Sequence, residues 1–477
     1  MDKRGGHAVV LGASMGGLLA TRVLADFYDR VTVVERDILP CDAVNRRGVP
    51  QGRLIHAIQS RGTEILDDLF PGFVPELRAM GVDAWEDGDL SKLHFGFGGH
   101  QVVRKGIAPN SPTIFFPSRP LLECTVLRRV KAIPNVTFLE GHDVLGLTAT
   151  PDRARVTGAR VVDRAHDSEM TLSADVVVDA TGRGSRTPVF LEGLGYPRPV
   201  ENEVVVQLAY ACQLLRMPAG AIKEHMIALF PEPGRPRMFG LIGYGNETWM
   251  VGVGTMCGAE PPHQRSEMLE FVADFVCPQV LEAIRDAESL GEVINYRVPS
   301  NRWRRYDKMR RRPGGLLVIG DAVCSFNPIY GQGMTIAAIE ATVLRDSLRR
   351  GRHDLERRFF RASAKHVRLA WQTAVGSDLA LPEVEAPRPL SMRLSNAFLD
   401  PIITAAEVDP VVAGQFMRVV SMVDSPLTLL RPSTQLRVWR ARPRRRPHAR
   451  SADEGFDGYI PQTDAMAATA TVIQTDV

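Results

Sequence analysis

Residues 7–35, HAVVLGASMGGLLATRVLADFYDRVTVVE, decide the fold of this chain. The apolar run at 7–12 predicts a buried strand, residues 15–27 predict a helix, and residues 31–35 predict a second buried strand. A strand, a helix and a strand in this order form the βαβ unit of a parallel sheet. We therefore expect the chain to open with an α/β domain.

The turn after the first strand carries the pattern of a dinucleotide-binding site. Gly12 permits a tight turn, Ser14 is small enough for the backbone to approach a pyrophosphate, and Gly17 lets the helix pack closely on the strand. Met15 and Gly16 open the helix, where backbone N–H groups and the helix dipole favour phosphate. Together these residues predict that the turn binds the phosphates of a dinucleotide.

The end of the second strand supports this interpretation. Glu35 lies there, 23 residues after Gly12, where a carboxylate can accept hydrogen bonds from ribose hydroxyl groups. Arg36 follows directly, and we assign it to the same cofactor site.

The same turn also spells G-x-S-x-G, the nucleophile elbow of serine hydrolases. That motif needs several strands before the elbow, one of them leading to the oxyanion hole, and only eleven residues precede Gly12. A hydrolase would also leave Glu35 and the residues near 320 without a role. We therefore favour dinucleotide binding.

A second set of site residues lies about 300 positions downstream. The segment LLVIGD at 316–321 predicts another buried strand, and it ends in Gly320 and Asp321. A short acid at the end of a strand can hydrogen-bond a polyol. The loop and helix start that follow can place backbone amides against a planar ring and stabilise negative charge on it. They contain Pro328, Gly331, Gln332, Gly333 and Met334.

This combination of motifs resembles the single-component flavoprotein monooxygenases called group A. The resemblance implies an FAD cofactor, with Asp321 contacting its ribityl chain and the loop at 328–333 bordering the flavin. Arg119, at the head of a predicted helix, matches the family's arginine near the ribityl and phosphate groups. The resemblance also places Arg53 and the surrounding basic stretch near the cofactor.

Within this family, RRGVPQGRLIHA at 46–57 and FNPIYGQGMT at 326–335 resemble the subgroup related to squalene epoxidase. That resemblance implies that reduced FAD and O2 form a C4a-hydroperoxide, which epoxidises an alkene of a polyketide or terpenoid in secondary metabolism. Two alternatives stay open at this point. One is aromatic hydroxylation by the same family, and the other is an FAD-dependent prenyl-chain reductase that does not use O2.

The electron donor is the least specified partner. The family's third motif reads Asp-Gly, and here the matching stretch at 179–185 is DATGRGS, with Thr181 in the Asp position. The chain has no second glycine fingerprint for a separate NADPH domain. We expect either that NADPH or NADH reduces the FAD directly, or that a flavin reductase supplies the electrons.

The order of predicted elements gives an α/β architecture. A Rossmann-type FAD-binding domain is expected at 1–195 and again at 301–349, with an antiparallel β-rich substrate domain inserted at 196–300. A helical region is expected at 350–440, and a basic, low-complexity tail that we expect to be mobile at 441–477. Four aromatic residues of the β-rich segment are candidates to line a substrate pocket, although each would fit a plain core equally well: Tyr210, Phe230, Phe239 and Trp249.

Composition excludes several classes of function. The chain has 477 residues, of which 44% are apolar and 24% charged, as in soluble globular proteins. A net charge of +3 is too small to indicate a nucleic-acid partner. Six scattered cysteines without a CxxC pair argue against a metal site and fit a reducing cytoplasm. No apolar run is long enough to span a membrane. We expect a cytoplasmic enzyme with a small apolar substrate, and the sequence leaves its oligomeric state open.

Overall fold

The computed structural model describes residues 5–441, apart from the side chain of Ser391. The predicted tail at 441–477 lies outside the described residues from 442 onward. The strands, in chain order, are β1 (Gly5–Leu11), β2 (Tyr28–Val34), β3 (Ala84–Trp85), β4 (Leu93–Phe97), β5 (His100–Gln101), β6 (Ile114–Phe115), β7 (Val136–Leu139), β8 (His142–Ala149), β9 (Val156–Asp163), β10 (Ser168–Ser173), β11 (Val176–Asp179), β12 (Glu201–Arg216), β13 (Met226–Leu229), β14 (Arg237–Gly245), β15 (Thr248–Thr255), β16 (Glu288–Ser289), β17 (Ile294–Arg304), β18 (Leu316–Val318) and β19 (Cys324–Ser325).

The helices follow the same order, and short 3-10 turns occur between them. They are α1 (Met15–Ala25), α2 (Ser60–Leu69), α3 (Phe73–Ala79), α4 (Arg119–Lys131), α5 (Thr187–Gly193), α6 (Arg265–Val272), α7 (Pro278–Asp286), α8 (Gly333–Arg349), α9 (Leu355–Asp378), α10 (Leu390–Ala406), α11 (Pro410–Val420) and α12 (Pro432–Ala441). Within residues 5–441, none of these helices is both long and apolar enough to cross a membrane.

The first sheet is parallel and has the strand order β18-β11-β1-β2-β7. Strands β1, β11 and β18 are buried along most or all of their length, as expected for a sheet covered by helices, and α1 packs against both β2 and α8. Strand β18 arrives from far along the chain to pair with β11. The cofactor domain is therefore assembled from separated segments, and the predicted fold class is confirmed.

The second sheet is mostly antiparallel and runs β19-β17-β12-β15-β14-β13-β4-β5. Strand β4 comes from the first part of the chain and pairs with β13 in parallel. One face of the sheet packs on α6 and α7 in a separate apolar cluster, and the other face joins the main core. The described part of the chain forms one compact unit, so our division into segments stays a prediction.

One predicted helix begins later than its pattern indicates. The apolar pattern of residues 54–70 predicts a helix, but α2 begins at Ser60 and residues 54–59 are not helical. Backbone N–H groups in this segment bind the second sheet instead of a helical turn: the Ile55 N–H donates to Cys212 Sγ at 3.3 Å and the His56 N–H to the Tyr244 hydroxyl at 3.0 Å. Tertiary hydrogen bonds here override the local apolar periodicity.

Candidate functional site

The turn between β1 and α1 has the geometry of a dinucleotide-binding loop. Gly12 has a φ of +98°, and a Cβ there would lie 2.7 Å from the Ala180 carbonyl oxygen. A Cβ on Gly17 would collide with the carbonyl oxygen of Gly12. Ser14 occupies the N-cap of α1, but its side chain makes no capping bond to the helix. Both glycines are therefore required by sterics, and the N-terminal amides of α1 are left for a ligand.

A network of buried charged side chains contacts this turn and stabilises it. The Arg119 guanidinium donates to Ser14 Oγ at 2.9 Å and to Glu123 at 3.0 Å. Arg46 donates to the same Glu123 carboxylate at 2.6 Å and lies 3.4 Å from Glu35. Burial lowers the pKa of Arg46, but Glu123 and Glu35 outweigh that effect and raise it above the usual value. The network carries charge of both signs and holds the turn between α4 and the second strand.

Glu35 uses its carboxylate within the chain. It accepts hydrogen bonds from the backbone N–H of Ala13 at 2.7 Å and of Asp37 at 3.0 Å. Its contact with a ribose therefore stays a prediction, whereas its hold on the loop is visible.

The predicted cofactor residues Arg36 and Arg53 do not join this network. The Arg36 side chain is 61% exposed and lies 3.7 Å from Asp143. Arg53 ends a short turn beside the start of α4, with its side chain exposed. Sequence reasoning missed Glu123, and the signal that would have found it is its position four residues after Arg119 on the same helix.

Asp321 follows β18 in a short turn, and within residues 5–441 its carboxylate accepts no hydrogen bond. Burial raises the pKa of Asp321, while the positive charges of Arg119 and Arg183 oppose the shift. Beneath it, Glu340 of α8 accepts a hydrogen bond from the Gly320 N–H at 2.7 Å. Burial raises the pKa of Glu340 to about 7, against the hydrogen bonds that it accepts.

The loop before α8 contains a second free polar group. Gln332 is 4% exposed, and its Oε1 atom has no hydrogen-bond partner among the described residues. Gly331 has a φ of +65° and closes the turn that Pro328 opens. Gly333 and Met334 then begin α8.

His56 lies next to this loop, with Nε2 3.3 Å from Met334 Sδ. Burial, together with the nearby charge of Arg119, lowers the pKa of His56 to about 3. The imidazole is therefore neutral at physiological pH.

A cavity of about 560 Å³ adjoins the loop. Residues 328–332 line one part of it, the second sheet forms a wall, and α8 to α11 close it on other sides. Two predicted pocket residues, Tyr210 and Phe230, line this cavity. Phe230 stacks on Tyr330 with ring centroids 5.8 Å apart.

The other two predicted pocket residues lie differently. Phe239 borders the cavity, but its side chain belongs to the apolar cluster that faces α6 and α7. Trp249 packs against that same cluster and does not line the cavity, so its assignment to the pocket is wrong. The reason is the two-residue period of a strand, which directs the side chains of Trp249 and Met250 to opposite faces.

Thr181, the departure from the family motif, stabilises its own turn. Its N–H and hydroxyl groups donate to Asp179 Oδ1 at 2.9 and 2.6 Å. Asp179 is 1% exposed and also accepts a hydrogen bond from Ser185. Asp179 is thus satisfied within the chain, and Thr181 holds the turn that follows β11.

These features fit an FAD molecule. The uncapped start of α1 suits its pyrophosphate, the free carboxylate of Asp321 suits the ribityl hydroxyls, and the loop at 328–333 has an unpaired amide oxygen and the start of α8 for the flavin. All three groups lie in the described chain without partners that would compete with the cofactor.

Comparison with known proteins agrees with this fit. A family model described as "FAD binding domain" matches residues 7–350. The protein Rv3254 of Mycobacterium tuberculosis is 35% identical over 463 residues, 92% of this chain and 96% of that protein. Kynurenine 3-monooxygenase of Salinispora tropica is 26% identical over 371 residues, 73% of this chain and 74% of that enzyme.

Two further matches concern the subgroup and the fold. Squalene epoxidase 2 of Arabidopsis thaliana is 39% identical over only 90 residues, 19% of this chain and 15% of that enzyme, so the squalene-epoxidase subgroup is not established. The crystal structure of p-nitrophenol 4-monooxygenase from Pseudomonas putida DLL-E4 superposes with a TM-score of 0.60 at 15% identity, covering 89% of this chain and 98% of that one. This likeness shows the fold.

Proposed function

This chain belongs to the family whose model is described as "FAD binding domain", and from that premise we propose that it is an FAD-dependent monooxygenase that epoxidises an alkene in a neutral, largely apolar substrate of polyketide or terpenoid type. The expected overall reaction joins one atom of O2 to the two alkene carbons. The other atom leaves as water, with two electrons from NADPH or NADH, directly or through a flavin reductase, and two protons, one carried with the hydride donor's oxidation and one from solvent. When bound, FAD supplies the activation of O2.

The observation that carries the proposal is the lining of the 560 Å³ cavity. It is dominated by aromatic and aliphatic side chains, among them Phe95, Phe97 and Phe230, and no lysine or arginine of the described chain lines it. A carboxylate substrate would be buried there without a cationic partner, which costs several kcal/mol. A neutral substrate meets no such penalty.

His56 favours epoxidation over aromatic hydroxylation. Electrophilic attack on a phenol is faster once a base has taken the phenolic proton, and a base needs a pKa close to the working pH. His56 lies at the loop end of the cavity, and burial holds its pKa at about 3. It is therefore a poor base, and an alkene needs none.

The chain's own residues then have three tasks. The apolar wall excludes water and orients the alkene. The backbone N–H groups at the start of α8 favour negative charge on the flavin edge. The Gln332 Oε1 atom is an acceptor for a flavin N–H group. Asp321 and Arg119 hold the polyol and phosphate parts of the cofactor.

The test is isotope incorporation by the purified FAD-loaded enzyme. We would supply ¹⁸O2 and, in separate reactions, NADPH, NADH, or NADPH with an added flavin reductase. The substrates are a neutral isoprenoid alkene, the corresponding carboxylic acid and a phenol. We expect one ¹⁸O atom in the epoxide of the neutral alkene, and little or none in the other two products.

Other outcomes distinguish the alternatives. Labelled catechol from the phenol alone would identify an aromatic hydroxylase. A saturated, unlabelled product would identify a reductase. Equal epoxidation of the carboxylic acid would contradict the role that we give to a lining without lysine or arginine.

A further inference from the structure

Asp378, the last residue of α9, is a buried carboxylate that the proposed reaction does not use. It is 0% exposed and does not line the cavity. Its Oδ2 atom accepts a hydrogen bond from Asn301 Nδ2 at 2.6 Å. Its Oδ1 atom accepts hydrogen bonds from Asn327 Nδ2 at 2.9 Å and from the Tyr330 hydroxyl at 2.8 Å. A buried charge that is unused in catalysis needs another explanation.

The hydrogen-bond donors to Asp378 lie at both ends of the flavin-bordering turn. Asn327 precedes this turn, and Tyr330 lies just before Gly331 closes it. Asn301 of β17 adds a second connection, because its Oδ1 atom accepts a hydrogen bond from the Asn327 N–H at 2.6 Å. Asn301 and Asn327 are each 0% exposed. The Asp378 carboxylate therefore connects the two ends of the turn to each other and connects the turn to the second sheet.

The same contacts orient the cavity wall. The Tyr330 ring, held through its hydroxyl group by Asp378, stacks on Phe230 with an interplanar angle of 12°. Both rings line the cavity. A change at Asp378 would therefore reach the flavin-bordering backbone and the substrate wall together, although Asp378 does not itself line the cavity.

We propose that Asp378 is a positioning residue that fixes residues 327–331 in the shape required to bind FAD, so that helix α9 of the C-terminal region completes the cofactor site. The inference rests on FAD as the cofactor and does not depend on the substrate class proposed above. An isosteric neutral side chain at 378 replaces one acceptor oxygen by a donor, and at least one of the three donors then loses its acceptor.

The experiment compares Asp378→Asn with Asp346→Asn, an exposed carboxylate on α8 that pairs with Arg349. Hydrogen exchange by mass spectrometry, on apo and FAD-loaded protein, follows the backbone N–H groups of residues 327, 329 and 331, which all bond within the turn or to Asn301. In apo Asp378→Asn we expect exchange of these amides to rise by about tenfold or more. The Kd for FAD should rise by a similar factor, while Asp346→Asn leaves both unchanged.

Tyr330→Phe provides a milder test of the same contact if Asp378→Asn fails to fold. It removes one hydrogen bond and no charge, and we expect a smaller rise in turn exchange, about threefold to tenfold. The double variant Asp378→Asn/Tyr330→Phe should add little to Asp378→Asn alone, because the two side chains share one bond.

Two results would overturn the inference. The first is unchanged exchange at 327–331 in Asp378→Asn. The second is an equal rise throughout the middle of α8, which would show a general loss of stability instead of a local release. Neither measurement requires turnover, so a failed epoxidation assay leaves the inference standing.

Discussion

The turn at Gly12–Gly17 and the loop at Asn327–Gly333 both belong to the predicted FAD site, yet different parts of the chain support them. The first rests on Glu35, Arg46, Arg119 and Glu123, all within the first 123 residues. The second rests on Asn301 and Asp378, which come from a strand and a helix of the later chain. The spacing of glycines in the sequence predicts the first loop. The second loop depends on a buried carboxylate that is distant in the sequence.

This difference in supporting residues shows which constraints on the site are local in the sequence. Gly12 and Gly17 are required by close backbone contacts within one βαβ unit, and sequence spacing alone reveals such contacts. The second loop depends on hydrogen bonds to a residue 51 positions away, for which no spacing rule exists. The following predictions test how far this contrast extends.

The largest effect is expected at the first loop itself. Gly12→Ala places a Cβ 2.7 Å from the Ala180 carbonyl at a φ of +98°. We expect a loss of about 2 kcal/mol in the free energy of unfolding and at least a roughly hundredfold weaker FAD affinity. Gly146→Ala, whose Cβ would meet no atom within 4 Å, is the matched control. Normal flavin content in Gly12→Ala would refute the steric basis of the first loop.

Arg119→Ala tests the charged support of that loop. It leaves Ser14 without its donor and Glu123 with Arg46 as its remaining guanidinium partner. Breaking a buried pair of this kind costs about 3 kcal/mol, and we expect FAD affinity to fall at least about tenfold. Urea unfolding and FAD titration measure the two quantities. Arg160→Ala, which removes an exposed pair with Glu169, should change stability by less than about 1 kcal/mol.

A pH series tests the buried support of a third part of the site, the turn at Gly320, whose N–H donates to Glu340. The folded-state pKa of Glu340 is raised to about 7 from an ordinary value of 4.5, so the folded protein prefers the protonated form. The contribution of Glu340 is therefore most favourable below pH 4.5 and is lost as the pH rises to about 7, by up to about 3 kcal/mol.

Glu340→Gln should flatten this part of the stability curve. The free energy of unfolding, measured in urea between pH 5 and pH 8, would then depend less on pH than in the natural protein. Glu169→Gln, an exposed control, should keep the natural slope. An identical slope in all three proteins would show that Glu340 does not titrate in this range.

The smallest effect is expected for Ser14→Ala. The side chain is small in both cases, so the loop keeps its shape, and only the hydrogen bond from Arg119 is lost. One such bond contributes about 1 kcal/mol, and we expect FAD to bind about fivefold more weakly. A fluorescence titration with FAD measures the change. A loss as large as that of Gly12→Ala would mean that Ser14 has a role beyond its hydrogen bond.

Much of the fold could be predicted because the decisive patterns are local. The βαβ opening, the inserted antiparallel strands and the return strand before Asp321 follow from runs of apolar residues and the glycines that end them. The start of α2 could not be predicted, because the backbone N–H groups of Ile55 and His56 bind the second sheet. Trp249 was misplaced because alternation in a strand does not reveal which face meets the cavity.

The site divides in the same way. Ser14 and Arg119 came from motifs, and the structure joins them by a hydrogen bond of 2.9 Å. Glu340 and Asp378 carry no motif, since a carboxylate on a helix is usually a solvated side chain. Only the three-dimensional structure shows that both are buried against the cofactor loops.

The separation of β1 from β18 and α9 has a consequence for synthesis of the protein on the ribosome. The Gly12 turn emerges first, but β18 follows about 300 residues later and Asp378 later still. At about 5–20 residues per second, the nascent chain waits between roughly 15 s and one minute before its parallel sheet can close. Because Asp378 is inferred to complete the flavin-bordering loop, a chain that is truncated before α9 would leave the ribosome with a pyrophosphate turn but an unfinished flavin loop.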